Sequence, residues 1–272
     1  MSYNLSAAFP IIRNFSYILV LRILQRVMGF VSLYFIVRAL SQDDFGLYQF
    51  VLSIGVMLAP LALTGFQNVI SQSAARGAIG SFLRLNTLGF LASFSGMVII
   101  LAIAGYYQYA GEFNTAIGLC AVAFFFPLRQ GLQSWKYYYN GRERFKALSI
   151  IAGTMSILIH SSLVILAVLN VDFFLMYVLV TVGVEGLFNL GMTLYVRNSI
   201  KVEKHEVYLE EDSLKYGVKT TLYKILNSVA SNLDKILIFI FISPAVTAIF
   251  YAAERLSELL KNLVQDLAVT IA

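Results

Sequence analysis

The chain has 272 residues, of which 59% are apolar and only 13% are charged. A soluble domain carries about 45–50% apolar and about 25% charged residues, so this composition excludes a soluble globule, and it also excludes a disordered chain. The single cysteine, Cys120, excludes a disulfide framework. The net charge of +5 comes from basic residues between long apolar segments, which indicates membrane topology rather than nucleic-acid binding.

Eight apolar segments are long enough to cross a bilayer, whose hydrocarbon core requires about 20 residues of helix. Because backbone groups in lipid must be hydrogen-bonded within their own segment, we expect α-helices. In chain order, the predicted spans are residues 15–39, 46–74, 85–107, 114–136, 147–169, 173–196, 216–242 and 246–270. The sequence therefore predicts an all-α polytopic membrane protein with eight transmembrane helices.

The connections between the spans differ in basic charge. The N-terminal segment and the even-numbered connections hold eleven Lys and Arg residues, whereas the odd-numbered connections hold only Arg38. Lys and Arg concentrate in cytoplasmic loops, so we expect a cytoplasmic N-terminus. Met1–Pro10 has no basic residue and no cleavage pattern, which favours an uncleaved first span over a signal peptide.

An internal repeat appears at an offset of 202 residues, the alternative being chance similarity between apolar segments. The aligned pairs are 22–27 with 224–229, 40–41 with 242–243, and 46–48 with 248–250. Both copies begin after an even number of spans, so we expect parallel repeats. The predicted units are a six-helix N-terminal lobe (1–197), a cytoplasmic linker (198–215) and the first two helices of a second lobe (216–272). Two complete lobes would need roughly 400 residues, so we expect the chain to be an N-terminal fragment.

Ionisable side chains within spans are costly unless they pair or face a polar cavity, so each is a candidate functional residue. Arg22 and Arg26 share one face of the first span and have no acidic neighbour on it. Guanidinium groups stay protonated and bind phosphate bidentately, so this pair suits a pyrophosphate, the alternative being anchorage to other helices. Lys224 occupies the position of Arg22 in the repeat, so both halves are expected to present cations to one central cavity.

The remaining charges within spans leave alternatives open. Glu185 is either a residue that binds and releases a proton or a neutral acid hydrogen-bonded across helices. Arg129 follows Pro127 and either faces the cavity or extends to the membrane surface. Asp234 either gates transport or holds Lys235 or a partner helix. In the eighth span, three charges are spaced to neutralise one another: Glu254, Glu258 and Lys261.

No cofactor or metal is expected. One cysteine and two widely separated histidines, His160 and His205, cannot form a zinc site, and no glycine-rich phosphate loop is present. For His160 we expect a buried polar role rather than a proton relay. The basic and aromatic stretch Trp135–Lys146 is expected to meet anionic lipid headgroups rather than nucleic acid.

Four segments together resemble the lipid-linked oligosaccharide flippases, which include the O-antigen transporters of the multidrug/oligosaccharidyl-lipid/polysaccharide superfamily. The similarity is diffuse and extends over essentially the whole chain. The segments are Asn14-Phe15 leading to Arg22, Ala39-Leu40-Ser41 with Phe45-Gly46-Leu47-Tyr48, Gly141-Arg142-Glu143-Arg144-Phe145, and Asp234-Lys235 with Phe250-Tyr251-Ala252-Ala253.

This resemblance implies twelve or more helices in two lobes around a cationic cavity. It also implies a non-enzymatic transporter in the bacterial inner membrane, which moves an undecaprenyl-pyrophosphate-linked repeat unit by alternating access. Its expected partners are the lipid-linked substrate, membrane lipids and other polysaccharide assembly proteins, with no nucleic acid. The predicted substrate-binding residues are Arg22, Arg26, Lys224, Arg129 and Lys235. The predicted coupling or gating residues are Glu185 and Asp234.

Three other functions fit the sequence less well. A drug or cation antiporter of the same superfamily should present an acidic cavity, which the arginine pair disfavours. A membrane glycosyltransferase or polysaccharide polymerase needs a substantial external segment, whereas every predicted external connection is short. A non-transporting scaffold would not need the polar stripes on the first, seventh and eighth spans.

Overall fold

The computed structural model describes residues 5–78, 80–201, 211–255 and 257, with side chains for 21, 23–78, 80–200, 213–255 and 257. These residues form helices and short connections, and no strand occurs among them, so the all-α prediction is confirmed. In chain order, the α-helices are α1 (Leu5–Ala39), α2 (Gln42–Met57), α3 (Phe66–Ala75), α4 (Gly80–Tyr109), α5 (Phe113–Phe126), α6 (Trp135–Gly141), α7 (Phe145–Val168), α8 (Phe174–Lys201), α9 (Glu211–Phe241) and α10 (244–255).

The described helices identify a multi-pass membrane protein. Four helical segments are long and apolar enough to cross a bilayer, and α2 with α3 forms a fifth if this bent pair is one span. Many large apolar side chains lie exposed on their surfaces, such as Leu91 at 59%, Val98 at 62% and Phe124 at 70%, which suits a lipid environment. Of the other predicted spans, the first corresponds to α1 and the seventh to α9, and α10 covers the start of the eighth. The count of eight stays a prediction.

The second predicted span, residues 46–74, is not the continuous helix expected. α2 ends at Met57, a 3₁₀ turn occupies Ala59–Ala62, and α3 begins at Phe66, with a bend of 40° between the two halves. Pro60 cannot donate a backbone hydrogen bond, and Leu63 has a left-handed φ of 55°. Hydropathy alone does not register this break, because the residues that form it are mostly apolar.

The fourth predicted span, residues 114–136, is also interrupted. α5 ends at Phe126, Pro127–Gly131 wind as a π-helix, and α6 runs from Trp135 to Gly141. The ring of Pro127 clashes with the backbone carbonyl one turn earlier, and Pro127 has no N–H to donate to that carbonyl. The helix therefore widens locally. The whole segment still qualifies as one span, over Phe113–Gly141.

The helices pack so that both interruptions lie in the middle of the bundle. α1 packs along α7, α4 along α5, α5 along α8, and α2 with α3 along α9. One hydrophobic cluster, which includes Phe50 and Tyr177, occupies one end of the bundle, and a second, which includes Phe82 and Trp135, occupies the other. The irregular backbone lies between the two clusters, where polar side chains from neighbouring helices reach it.

Candidate functional site

Side chains of α8 hold the π-helical segment in place. The Nδ2 of Asn189 donates to the carbonyl of Arg129 at 2.9 Å, and the hydroxyl of Thr193 donates to the carbonyl of Leu132 at 2.8 Å. The indole Nε1 of Trp135 donates to the Oδ1 of Asn189 at 3.0 Å. Irregular backbone at membrane depth needs such partners, because water cannot supply them in the hydrocarbon region. The result is a fixed position for Arg129.

Arg129 and Glu185 form an ion pair near the middle of their spans. The Nε of Arg129 donates to the Oε2 of Glu185 at 2.6 Å, and the two side chains are only 14% and 19% exposed. Arg129 therefore faces the interior of the bundle and does not extend to the membrane surface. One of the two interpretations from sequence was a neutral Glu185 that is hydrogen-bonded across helices. The hydrogen bond across helices is present, but it comes from the positively charged Arg129. Its role in coupling stays a prediction.

The surroundings of this ion pair are richer in positive than in negative charge. Lys136 is a second basic residue on the same span, with its Nζ 5.7 Å from the ring centroid of Trp135. Among the described residues, the Nη1 of Arg129 is buried and has no hydrogen-bond partner. A Cβ built on Gly55 of α2 would lie 2.8 Å from a methyl group of Val122 and 4.0 Å from this Nη1, so the glycine allows α2 to pack closely beside the guanidinium. We call Arg129, Glu185 and Lys136 the central charge cluster.

A second group of charges joins α9 to α10. The Nζ of Lys235 lies 2.9 Å from the Oε2 of Glu254 and 5.9 Å from the ring centroid of Tyr251. The Nε of Arg255 donates to the hydroxyl of Tyr251 at 2.7 Å. Lys235 is thus buried against α10 and pairs with Glu254 rather than with Asp234. The expected neutralisation within the eighth span involves Glu258 and Lys261, which lie outside the described residues.

Asp234 has an exposed side chain, and its Oδ1 accepts a hydrogen bond from the backbone N–H of Lys235 at 2.9 Å. This local contact leaves most of the carboxylate accessible. The structure therefore separates the adjacent residues Asp234 and Lys235, which point to different surroundings on α9. The gating role of Asp234 and the substrate-binding role of Lys235 both stay predictions.

Lys224 contacts the interruption between α2 and α3. Its Nζ donates to the carbonyl of Thr64 at 2.7 Å and to the Oε1 of Gln67 at 3.2 Å. Two of the three donors of this ammonium group are thus engaged within the protein. Part of the polar stripe predicted on the seventh span faces this interruption, whereas other members of the stripe are exposed: Asn227, Ser231 and Asp234.

The structure describes the arginines of the first span only in part. The side chain of Arg22 is outside the described residues, and Arg26 is half-buried on α1. α1 packs against α7, where the hydroxyl of Ser32 lies 2.8 Å from the Nδ1 of His160. His160 thus has the polar contact between helices that was expected, and its side chain is half-buried. A cavity shared by Arg22, Arg26 and Lys224 stays a prediction.

Sequence reasoning overlooked the residues that support the central charge cluster. Asn189 and Thr193 lie within a predicted span without an assigned role. Trp135 and Lys136 belong to the stretch expected to meet lipid headgroups, but Trp135 is fully buried. A signal for them existed, since a proline within a span requires nearby side chains to bind the backbone groups that it frees. An asparagine in the middle of another span is a natural candidate for that task.

The fold and these buried charges define the class of the protein. It is a multi-pass α-helical membrane protein with charged residues held inside its helical bundle. The sequence profile of the family described as polysaccharide biosynthesis protein matches residues 11–270, nearly the whole chain. The chain belongs to this family. Comparison with curated proteins and with solved structures found no significant match.

Proposed function

We propose that the protein carries an undecaprenyl-pyrophosphate-linked oligosaccharide, such as an O-antigen repeat unit, across the bacterial inner membrane by alternating access. Membership of a polysaccharide biosynthesis family and a multi-pass helical fold support a transporter of this kind. The proposed role is transport without covalent chemistry, so the protein is not an enzyme. Its N-terminus is cytoplasmic, and other polysaccharide assembly proteins supply and consume the substrate.

The central charge cluster carries the proposal. It holds the guanidinium of Arg129 against Glu185 inside the bundle, with Lys136 further along the same span, and one guanidinium nitrogen of Arg129 has no hydrogen-bond partner among the described residues. Buried positive charge is costly unless an anion compensates it. A pyrophosphate carries several oxygens that accept hydrogen bonds from guanidinium and ammonium groups, so this cluster suits the charged part of the substrate.

Glu185 has two tasks in this mechanism. In the substrate-free protein it accepts the hydrogen bond from Arg129 and partly neutralises the cluster. An arriving pyrophosphate competes with this carboxylate for the same guanidinium. Once displaced, the carboxylate has lost its cationic partner in a low-dielectric environment, which favours its protonation. Proton uptake by Glu185 would thus accompany substrate binding and couple transport to a proton gradient.

A drug or cation antiporter is the main rival, because it belongs to the same superfamily as the flippases. Such a protein needs a site with excess negative charge to attract a cationic substrate. The central charge cluster has the opposite balance, with two basic residues, Arg129 and Lys136, and one acidic residue, Glu185. The charge balance therefore favours an anionic substrate.

The test is complementation of a strain that lacks its own flippase, with surface polysaccharide measured at matched expression levels. The variants Arg129→Ala and Lys136→Ala remove one cation each from the cluster, and we expect both to reduce surface polysaccharide strongly. Arg84→Ala serves as the control, because Arg84 is exposed near the start of α4. This variant also removes one positive charge, but the charge lies outside the cluster. This control should retain full polymer.

Normal polysaccharide with both cluster variants at normal expression would refute the proposal. Efflux of cationic dyes distinguishes the rival, since an antiporter would confer dye resistance that Glu185→Gln abolishes. A flippase of anionic lipids should confer no such resistance, whichever residue of the cluster is replaced.

A further inference from the structure

The interruption between α2 and α3 leaves backbone groups without helical partners. Residues 58–65 include the 3₁₀ turn at Ala59–Ala62 and the left-handed Leu63, so the hydrogen-bond ladder of a continuous helix stops there. At membrane depth such groups must find partners within the protein. Three backbone groups in or beside this interruption receive a side-chain partner from a single neighbouring helix, α9.

The three partners on α9 lie on one face of that helix, at positions i, i+3 and i+7. The hydroxyl of Thr221 accepts from the N–H of Gly65 at 3.2 Å. The Nζ of Lys224 donates to the carbonyl of Thr64 at 2.7 Å, and the hydroxyl of Ser228 donates to the carbonyl of Val56 at 3.0 Å. α9 thus binds both sides of the interruption, the end of α2 and the start of α3.

Two glycines bring the backbones close enough for these contacts. A Cβ built on Gly65 would collide with the carbonyl of Gly217 and the backbone nitrogen of Thr221. A Cβ built on Gly217 would lie 2.7 Å from the ring of Phe66. Any side chain larger than hydrogen at either position would therefore push α9 away from the interruption. Close backbone packing and side-chain hydrogen bonds therefore both join α9 to the interruption between α2 and α3.

We infer that α9 holds α2 and α3 in their bent arrangement and that Lys224 is the main positioning residue of this contact. Lys224 contributes most because its donor is charged, and charge-assisted hydrogen bonds are about twice as strong as neutral ones. If α9 moves away, the N–H of Gly65 loses the hydroxyl of Thr221, and the carbonyl of Thr64 is left with the backbone N–H of Gln67 at 3.3 Å. The position of α9 and the bend between α2 and α3 are therefore coupled.

The contact assigns Lys224 a task that differs from the pyrophosphate contact predicted from sequence. This positioning task does not rest on the proposed function. The structural coupling itself requires no substrate, so it can be measured in substrate-free protein. A failure of the transport proposal would leave that measurement unaffected.

The experiment measures how fast a cysteine at position 64 reacts with a small water-soluble methanethiosulfonate reagent. Thr64→Cys is a suitable reporter, because the residue is only 8% exposed and its contact with Lys224 uses the main-chain carbonyl, which the substitution keeps. Cys120 is exposed and is first replaced by alanine. The purified full-length protein is placed in lipid nanodiscs without lipid-linked substrate.

Lys224→Met removes the charged donor and keeps a long side chain, and Lys219→Met is its matched control on an exposed part of α9. We expect Lys224→Met to raise the labelling rate about tenfold, which corresponds to about 1.4 kcal/mol. Lys219→Met should leave the rate unchanged. A rate for Lys224→Met equal to that of the parent would overturn the inference.

A second pair of variants tests the same contact through packing. Gly217→Ala adds a methyl group against Phe66, whereas Gly105→Ala adds one where nothing lies within 4 Å. Gly217→Ala should also raise the labelling rate, and Gly105→Ala should not. If labelling stays at the parental rate in Gly217→Ala as well, α9 does not hold the bend. A loss of transport in Lys224→Met without faster labelling would instead assign Lys224 to the substrate.

Discussion

Replacing Arg129 with glutamine would leave Glu185 inside the membrane-spanning bundle without the hydrogen bond that it accepts at 2.6 Å. Removing one partner of a buried ion pair typically costs about 3–5 kcal/mol, because the remaining charge is uncompensated. The side chains are 14% and 19% exposed, so the lower end of that range, about 3 kcal/mol, is the expected loss of stability. At about 2–4 °C per kcal/mol, the melting temperature should fall by about 6–12 °C.

Intrinsic fluorescence is the natural assay, because Trp135 is the only tryptophan and is fully buried. Its indole is hydrogen-bonded to Asn189, which also binds the carbonyl of Arg129, so its emission reports on this site. Thermal unfolding of the parent, Arg129→Gln, Glu185→Gln and the double variant in detergent completes a double-mutant cycle. Circular dichroism of the helices provides a second, global measure of the same transition.

The double variant is the decisive member of the cycle. If the two side chains interact as described, replacing both should cost less than the sum of the single replacements, because no unpaired charge remains. An interaction free energy of at least about 1 kcal/mol is expected. Additive effects within about 0.5 kcal/mol would refute the reasoning, since residues without a direct interaction behave in this way.

Two further predictions concern other parts of the chain. A Cβ built on Gly46 collides with the carbonyl of Pro244, so Gly46→Ala should lower the melting temperature by several degrees, whereas Gly105→Ala should not. An unchanged melting temperature in Gly46→Ala would mean that α2 and α10 are not in contact there. The double replacement of Arg22 and Arg26 with alanine should abolish surface polysaccharide in the complementation assay. Normal polymer at normal expression would exclude both arginines from substrate binding.

Much of the helical architecture was predictable from local sequence. Long apolar segments separated by charged or turn-forming residues are sufficient to predict membrane helices, because lipid leaves the backbone no other way to satisfy its hydrogen bonds. The described helices follow the predicted segments in order, with Leu5 rather than residue 15 as the first helical residue of α1. Hydropathy measures the length of the apolar core, and a helix continues beyond it wherever the flanking residues tolerate helical geometry.

The interruptions at Pro60 and Pro127 were only partly predictable. Each proline removes one backbone donor, and the sequence shows that directly. Whether a helix then kinks, widens or stops depends on which side chains approach from neighbouring helices. At Pro127 these are Asn189 and Thr193 of α8, and beside Pro60 they are residues of α9.

The sequence by itself determined the class of protein, the order of its helices and the list of charged residues that the membrane makes costly. Only the tertiary structure decided how those charges pair. Arg129 meets Glu185, 56 residues away, and Lys224 meets the carbonyl of Thr64, 160 residues away. Helical periodicity specifies the face on which a charge lies. The partner of that charge depends on which helices pack together, and packing is a property of the whole bundle.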